Sequence, residues 1–198
     1  FIKLCLNPEK VKKITLQPIK RYDLDAAIIF SDILMVPFGL GQSVEFKKNF
    51  GPFLGSINVK DIKNYDVSFF KKKLDPVYKS ISKVKKDKIL KNKDLIGFVG
   101  GPWTLLSYGL GRKDENKILD IEKHPFIEKA LYDILIPMLR EIIKMQLDNH
   151  SEIVYVFDTN AKQLEKNYFV QNYMENLKNN IFSEFDGKIA YFCKDNPL

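Results

Sequence analysis

The feature that most constrains this chain is a regular alternation of helical segments with short apolar runs. The four runs are residues 26–30, 95–99, 152–157 and 188–193. Stretches whose apolar residues recur at helical spacing separate them. Consecutive parallel strands need a crossover connection, so the alternation predicts a parallel sheet in an α/β fold. This pattern leaves open whether the sheet is open or belongs to a barrel.

Capping signals predict where the helices begin. Asn7-Pro8 indicates a helix to about Tyr22, bent near Pro18, because Asn caps a helix and Pro suits its first position. Asp75-Pro76 repeats the signal and predicts a helix to about Leu90. His124-Pro125 predicts the longest helix. The remaining expectations are helices over 103–108 and 164–182 and a small hairpin around 44–46.

Size and composition restrict the class of protein. The 198 residues, 45% of them hydrophobic, predict one globular α/β domain over residues 1–198. The stretch 26–41 is interrupted by Asp32 and is shorter than the ~18–20 residues of a membrane span, and no secretory signal is visible. The cysteines, Cys5 and Cys193, have no metal-ligand spacing and suit a reducing compartment, which predicts a cytoplasmic protein without a membrane partner.

The charge balance suggests what kind of partner to expect. The chain has 32 Lys and Arg against 25 Asp and Glu, a net charge of +7. Many of the lysines fall in 71–73 and 83–88, where a solvated helix face is the favoured interpretation. No zinc finger or aromatic ribonucleoprotein stripe is present, so we expect no nucleic-acid partner. A small molecule with several carboxylates fits the basicity equally well.

The carboxyl ends of the predicted strands carry the candidate chemistry, since crossovers place these ends on one face. Asp32 ends the first run and Thr159 follows the third, while Tyr108 lies one and a half turns after the Gly100-Gly101 turn. Asp32 is the sharpest candidate, because a carboxylate at the end of an apolar strand is partly desolvated and needs an N–H or cationic partner. Helix capping is an equally weighted alternative for Asp32.

Other residues at the same ends have competing interpretations. For Asp158 a capping role is favoured, although two acids on one rim would also permit glycoside hydrolysis. The Gly100-Gly101 turn presents N–H groups that suit an anion, but close packing of strand and helix is favoured there. A lone tyrosine such as Tyr108 is more often an amphipathic filler than an acid. Composition and spacing alone therefore predict an α/β rim with two acids and two hydroxyls.

Four segments carry a resemblance to a known family. They are residues 15–22 (TLQPIKRY), 25–34 (DAAIIFSDIL), 97–105 (GFVGGPWTL) and 157–161 (FDTNA). On these segments the chain resembles the uroporphyrinogen decarboxylases of haem biosynthesis, from Phe1 to Asp195. The resemblance implies a (β/α)8 TIM barrel, of which this chain would supply about four parallel strands, the second to the fifth.

The resemblance also implies an activity and a set of site residues. The family removes carbon dioxide from the four acetate side chains of uroporphyrinogen III, giving coproporphyrinogen III, as a homodimer without metal or organic cofactor. Asp32 matches the aspartate that points at the pyrrole N–H groups, and Tyr108 matches a tyrosine that approaches a reacting acetate. Thr159 stands where the family usually has a serine that meets a substrate carboxylate. The identity of the proton donor stays open.

Several positions depart from the family pattern. Gly101 replaces the usual Ala, and Lys162 replaces a common Gly, which either alters the loop or adds a cation for a carboxylate. Related zinc-dependent corrinoid methyltransferases use a His-x-Cys pair where this chain has Tyr191-Phe192-Cys193, so we expect no zinc site. A non-catalytic tetrapyrrole-binding or dimerising remnant is the other alternative. We expect poor solubility and no activity from these 198 residues alone.

Overall fold

Two sheets form within the described part of this chain. The structure is a computed structural model and describes residues 1–47, 51–55, 66–110 and 118–195. The strands are β1 (Ala26–Ile28), β2 (Val44–Lys47), β3 (Gly51–Leu54), β4 (Asp94–Gly100), β5 (Ile153–Phe157) and β6 (Ile189–Phe192). β1, β4, β5 and β6 pair in parallel in that order, while β2 and β3 form an antiparallel hairpin. All four predicted parallel strands and the predicted hairpin are therefore confirmed.

The order of the parallel strands bears on the question of an open sheet or a barrel. Each strand of the main sheet neighbours the strand that follows it along the chain, the hairpin aside. A doubly wound open sheet instead reverses its strand order at a switch point. The sequential order observed here is that of a barrel wall.

Only one face of the main sheet is packed against helices in the described part of the chain. Leu95, Val154 and Val156 are fully buried on that face. On the opposite face, Ile28 is 63% exposed and Phe192 is 47% exposed. A short continuous apolar run such as 26–30 is typical of a strand buried on both faces of a parallel sheet, and that expectation is wrong for this strand. Alternate residues of a strand point to opposite faces, and only one of these faces meets the helical layer.

The helical layer contains nine α-helical segments within the described residues. They are α1 (Ile2–Cys5), α2 (Pro8–Arg21), α3 (Met35–Gly39), α4 (Val67–Lys85), α5 (Pro102–Gly109), α6 (Pro125–Ala130), α7 (Ile136–Asp148), α8 (Lys166–Tyr168) and α9 (Glu175–Leu177). Wider π-helical turns at Leu131–Leu135, Phe169–Met174 and Lys178–Phe182 join or extend the last four. The helical runs 125–148 and 166–182 therefore match the two long helices predicted from the sequence.

The start of α2 is confirmed in detail, and the start of α4 is not. Asn7 caps α2 by accepting a hydrogen bond from the Lys10 N–H at 3.1 Å. Asp66 caps α4, accepting from the Ser68 N–H at 2.8 Å, so the prediction of a start at Asp75-Pro76 is wrong. The apolar face continues upstream through buried Phe70 and Leu74 and outweighs the local proline signal, leaving Pro76 inside the helix.

The end of α4 also differs from the prediction. The helix stops at Lys85, and Lys88–Leu90 forms a separate 3₁₀ turn capped by Asp87, which accepts from the Ile89 N–H at 3.2 Å. Leu90 is nevertheless fully buried, because this turn packs against the same core as the helix. None of the helices in the described ranges is long and apolar enough to cross a membrane.

Candidate active site at the carboxyl ends of the strands

The three predicted site residues follow three neighbouring strands. Asp32 follows β1, Tyr108 lies on the helix that follows β4, and Thr159 opens the 3₁₀ turn that follows β5. Gly100 pairs with Phe157 in the sheet register, so β4 and β5 end at the same level. Because the strands are parallel, Asp32 and Thr159 lie at the carboxyl rim of the sheet, and Tyr108 lies in the last turn of the helix that begins at this rim. That the three side chains form one site stays a prediction.

Asp32 closes the turn after β1 and is half-buried. One carboxylate oxygen accepts a hydrogen bond from the Leu34 N–H at 2.8 Å, and the Asp32 carbonyl accepts from the Met35 N–H at 3.1 Å. Burial raises the pKa of the Asp32 carboxyl, and the Leu34 hydrogen bond opposes that rise. No cation of the described residues contributes to the shift. Asp32 thus closes the turn before α3 and does not cap that helix as the alternative predicted, since the N-cap residue of α3 is Leu34 and makes no side-chain capping bond. The second carboxylate oxygen is left for another partner.

The first turn of the chain lies beside Asp32. Cys5 is buried in α1, and burial followed by the negative charge of Asp32 raises the pKa of its thiol to about 11. The rings of Phe1 and Phe30 lie 5.9 Å apart, which places α1 against the end of the first strand. These contacts withdraw one side of Asp32 from solvent.

Tyr108 and Thr159 are accessible at the rim. Tyr108 occupies the last turn of α5 and is 39% exposed, and Thr159 is half-buried. Gly100 lets the Asp32 turn approach α5, since a Cβ at Gly100 would lie 2.8 Å from the Leu105 side chain and 3.1 Å from Cβ of Ile33. This close approach supports the packing interpretation of the glycine turn.

Asp158 lies under the rim. It is fully buried and accepts a hydrogen bond at 2.8 Å from the backbone N–H of Thr104 in the first turn of α5. The hydroxyl of Tyr191 donates to it at 3.0 Å, and that of Tyr173 also donates. The Asp158 side chain makes no capping bond to the turn that follows it, so the favoured local cap does not form; the side chain caps α5 instead, the helix after a different strand. Because it is buried, it does not form a pair of accessible acids with Asp32.

Burial also determines the proton affinity of Asp158. Desolvation raises the pKa of this carboxyl, while the donors Tyr173, Thr104 and Tyr191 act in the opposite direction. Burial likewise raises the pKa of the Tyr173 hydroxyl, and the nearby carboxylate adds to the rise. Both tyrosines therefore stay protonated and act as donors.

Tyr173 and Tyr191 were not predicted from the sequence as partners of Asp158. For Tyr191 a signal exists, because alternate residues of a strand point to the same face of the sheet. Val154 and Val156 are buried on the helix-facing side, and Asp158 continues their alternation, whereas Thr159 continues that of Phe157. Tyr191 pairs with Val156 in the register and shares its side of the sheet. No comparable local signal points to Tyr173, which lies on a distant helical turn.

Lys162 lies in the same 3₁₀ turn as Thr159. Its side chain is only 12% exposed, and its ammonium is 3.8 Å from the carboxylate of Asp195, which follows β6. A cation thus lies at the carboxyl ends of β5 and β6, on the same turn as Thr159. Within the described ranges, no group of three or more His, Cys, Asp and Glu side chains is arranged to hold a metal ion.

A parallel sheet in chain order, with helices on one face and polar side chains at the carboxyl ends, defines a protein of the β/α-barrel class. The model of the family described as "Uroporphyrinogen decarboxylase (URO-D)" matches residues 1–197. The chain therefore belongs to the uroporphyrinogen decarboxylase family, and its fold is a portion of that barrel.

Individual relatives agree with this assignment. The uroporphyrinogen decarboxylase of Rickettsia canadensis (strain McKiel) is 38% identical over 182 residues, covering 90% of this chain and 53% of the relative. That of Neorickettsia sennetsu is 35% identical over 200 residues, covering 98% and 60%. That of Campylobacter jejuni is 33% identical over 194 residues, covering 93% and 57%. The chain thus spans between half and three fifths of the length of these relatives.

A solved structure supports the fold alone. A methyltransferase from Methanosarcina mazei superposes with a TM-score of 0.78 at 20% sequence identity. The match covers 95% of this chain and 57% of the other. The predicted barrel architecture is confirmed.

Proposed function

We propose that this chain supplies the Asp32 side of the active site of a uroporphyrinogen decarboxylase, a carboxy-lyase of porphyrin biosynthesis. The reaction converts the four acetate side chains of uroporphyrinogen III to methyl groups, giving coproporphyrinogen III without a cofactor. Family membership supports the class of reaction. The observation that carries the proposal is the half-buried Asp32 carboxylate, whose single described donor leaves an oxygen available at the rim.

The chemistry requires a place for the electrons released with carbon dioxide. A proton adds to a ring carbon of the pyrrole and makes the ring a cationic electron sink. The bond between the acetate methylene and its carboxylate then breaks, carbon dioxide leaves, and the electron pair flows into the ring. A proton then adds to the methylene carbon, and the ring carbon loses its proton. Each decarboxylation therefore consumes one proton and yields one methyl group.

Asp32 stabilises the cationic ring in this scheme. A carboxylate held in a partly desolvated position interacts with developing positive charge more strongly than one in water. The Leu34 N–H fixes its orientation in advance, so little reorganisation accompanies charge formation. The same carboxylate accepts hydrogen bonds from pyrrole N–H groups and thereby orients the macrocycle.

Tyr108 and Thr159 place the acetate groups. Tyr108 lies on α5, the helix that follows β4, and Thr159 opens the 3₁₀ turn that follows β5; both side chains are at least partly exposed. Their hydroxyls donate hydrogen bonds to substrate carboxylates. The net charge of +7 attracts an eight-carboxylate substrate. We place the enzyme in the cytoplasm as a homodimer.

Replacing Asp32 separates its charge from its hydrogen bond to the Leu34 N–H. Asp32→Asn keeps an oxygen for the Leu34 N–H but removes the negative charge, whereas Asp32→Gly removes both. In the natural polypeptide that carries these residues, we expect either variant to lose most of the decarboxylation measured by coproporphyrin formation. Asp23→Asn, at an exposed aspartate paired with Lys93 at 3.1 Å, is the matched control. Near-parental turnover in Asp32→Asn contradicts the role given to the charge.

Binding of uroporphyrin, followed by its fluorescence, distinguishes an enzyme from a binding protein. Binding together with turnover supports the decarboxylase. Binding without turnover in the natural polypeptide assigns the rim to a non-catalytic tetrapyrrole-binding protein. Absence of both rejects the tetrapyrrole substrate.

A further inference from the structure

Asp158 joins the helix that carries Tyr108 to the turn that carries Thr159. It immediately precedes Thr159 in the chain, so the anchoring of its side chain fixes the backbone from which Thr159 projects. Its Oδ1 accepts from the N–H of Thr104, at the third position of the helix that ends with Tyr108 and Gly109. Unpaired N–H groups of a helix's first turn are commonly satisfied by a residue just before the helix. Here the acceptor comes from the neighbouring strand.

Backbone and side-chain hydrogen bonds strengthen this junction. The N–H of Gly101 donates to the Phe157 carbonyl at 2.8 Å, and the N–H of Asn160 donates to Oγ1 of Thr104 at 3.0 Å. The indole N–H of Trp103 and the hydroxyl of Ser107 both donate hydrogen bonds to Oε1 of Gln163, at 3.2 and 2.9 Å. Helix α5 and the turn Thr159–Gln163 are thereby bonded along their length.

Two tyrosines hold the carboxylate from the helix-facing side. Tyr191 donates to Oδ2 from β6, and Tyr173 donates to it from the helical turn 169–174 while accepting from the N–H of Trp103 at 3.1 Å. Gly101 makes room for this arrangement, since a Cβ there would lie 2.2 Å from Cγ of Asp158. The buried network therefore spans β4, β5, β6 and the layer outside them.

We propose that Asp158 is a positioning residue that sets the placement of Tyr108 relative to Thr159 at the rim, an inference that rests on the proposed function. Asp158 is buried and does not touch the substrate. It acts through the Thr104 N–H on one side and through its own backbone on the other. A small displacement of two groups that must meet one substrate lowers the rate of reaction more than it weakens overall binding.

The test compares variants in the natural polypeptide that carries these residues. Asp158→Ala removes the junction, and we expect kcat to fall about tenfold to a hundredfold while KM changes less than about threefold. Asp158→Asn keeps an oxygen acceptor for the Thr104 N–H, but its amide NH2 replaces the Oδ2 to which the Tyr173 and Tyr191 hydroxyls donate. We therefore expect its kcat to lie clearly above that of Asp158→Ala and below that of the parent. Recovery by Asn is the signature of an acceptor that positions α5.

Glu152→Ala is the matched control. Glu152 accepts from the Leu95 N–H at 2.7 Å, so it links the same two strands through a carboxylate and a backbone N–H. This link lies at the amino ends of the strands, opposite the rim. We expect the Glu152 variant to keep kcat near the parental value. Equal losses of kcat in the Glu152 and Asp158 variants overturn the proposal, because the effect would then be general destabilisation.

Hydrogen exchange gives a readout that needs no substrate. Tyr191→Phe removes one hydrogen-bond donor to Asp158 and keeps the ring. It replaces Asp158→Ala in this test if that variant does not fold. We expect faster exchange in 101–109 and 158–163 together, with a fall in kcat. Unchanged exchange in both segments, or faster exchange with unchanged kcat, overturns the positioning role. A parent protein without decarboxylation overturns the proposed function itself, and the positioning role with it.

Discussion

Asp158 accepts a hydrogen bond of 2.8 Å from the backbone N–H of Thr104, so the acid after one strand caps the helix after the neighbouring strand. The carboxylate is wholly buried and is surrounded by hydroxyl and N–H donors. A buried polar group of this kind stabilises the fold only while its partners remain in place. The stability of the chain should therefore respond to changes at Asp158 and at the residues that make room for it.

The free energy of unfolding should decrease as the pH rises above the ordinary aspartate range. Burial raises the pKa of Asp158, so the folded chain keeps this proton to a higher pH than the unfolded chain, whose aspartates titrate near pH ~4. The stability linked to this proton is complete below the unfolded pKa and is lost as the pH rises through the folded pKa. Urea denaturation at a series of pH values measures the decline.

Comparison of Asp158→Asn with the parent isolates the contribution of Asp158 to this pH dependence. The raised pKa of Asp32 acts in the same direction, so the parent alone does not distinguish the two groups. Asp158→Asn should show a shallower decline than the parent, because it removes the proton-binding group. Equal slopes for the parent and Asp158→Asn contradict the prediction.

Gly101→Ala should destabilise the chain by about 1–3 kcal/mol, the usual cost of overpacking a filled site. The added Cβ would lie 2.2 Å from Cγ and 2.3 Å from Cβ of Asp158. The backbone of Gly101 has φ −64°, which alanine adopts freely, so the cost is steric. The methyl group missing relative to the family thus leaves no cavity, because Asp158 occupies the space.

A double-mutant cycle in urea denaturation tests the cause of the Gly101 effect. Asp158→Gly removes the three side-chain atoms, Cβ, Cγ and Oδ1, that the new methyl would meet. The double variant Gly101→Ala with Asp158→Gly should be more stable than the sum of the two single losses predicts. Strict additivity would show that Asp158 is not the obstacle.

Lys162→Met should weaken the binding of uroporphyrin about tenfold, near the lower end of what a hydrogen bond to a charged group contributes. Lys162 belongs to the Thr159 turn, and its ammonium lies 3.8 Å from the carboxylate of Asp195 at the carboxyl ends of β5 and β6. A substrate carboxylate therefore has a nearby cation. Fluorescence titration measures the affinity, with Lys166→Met, at an exposed lysine, as the control. Equal affinities for the parent and Lys162→Met reject this contact.

The 198 residues on their own should associate through the face of the main sheet that lies opposite the helices. Ile28 and Phe192 are exposed there, and the ring of Phe157 lies 6.1 Å from those of Phe98 and Phe192. A continuous exposed apolar surface favours association. Ile28→Ser with Phe192→Ser should lower the mass found by light scattering, whereas Phe126→Ser, on α6 at 69% exposure, should not. A monodisperse parent that melts cooperatively as a monomer is the contrary result.

Much of the fold follows from local sequence. The strands lie within one or two residues of their predicted limits because apolar runs bounded by helices have few alternatives. The cap at Asn7 was predictable because all its partners lie within one turn. The Asp75-Pro76 signal gave a wrong start because burial of Phe70 and Leu74 against distant residues outweighs a local proline preference.

The candidate site was predictable to a different extent. The sequence places Asp32, Tyr108 and Thr159 at the carboxyl ends of parallel strands, and the topology brings these ends to one rim. The sequence favoured a capping role for Asp158 more than for Asp32, but it did not show that Asp158 is fully buried, since both acids end an apolar strand. The two acids differ in their partners. Asp32 bonds to Leu34, two residues along the chain, whereas Asp158 bonds to Thr104, Tyr173 and Tyr191, which are distant in sequence.

The sequence by itself determined the alternation of strands and helices, the caps formed within one turn, and the motifs that mark the family. Each depends on residues close together in the chain or on a pattern repeated along it. Only the tertiary structure decided that Asp32 stays partly accessible while Asp158 is buried. The physical reason is that desolvation is produced by whichever distant elements cover a side chain, and these become known only when the strands are paired and the helices packed.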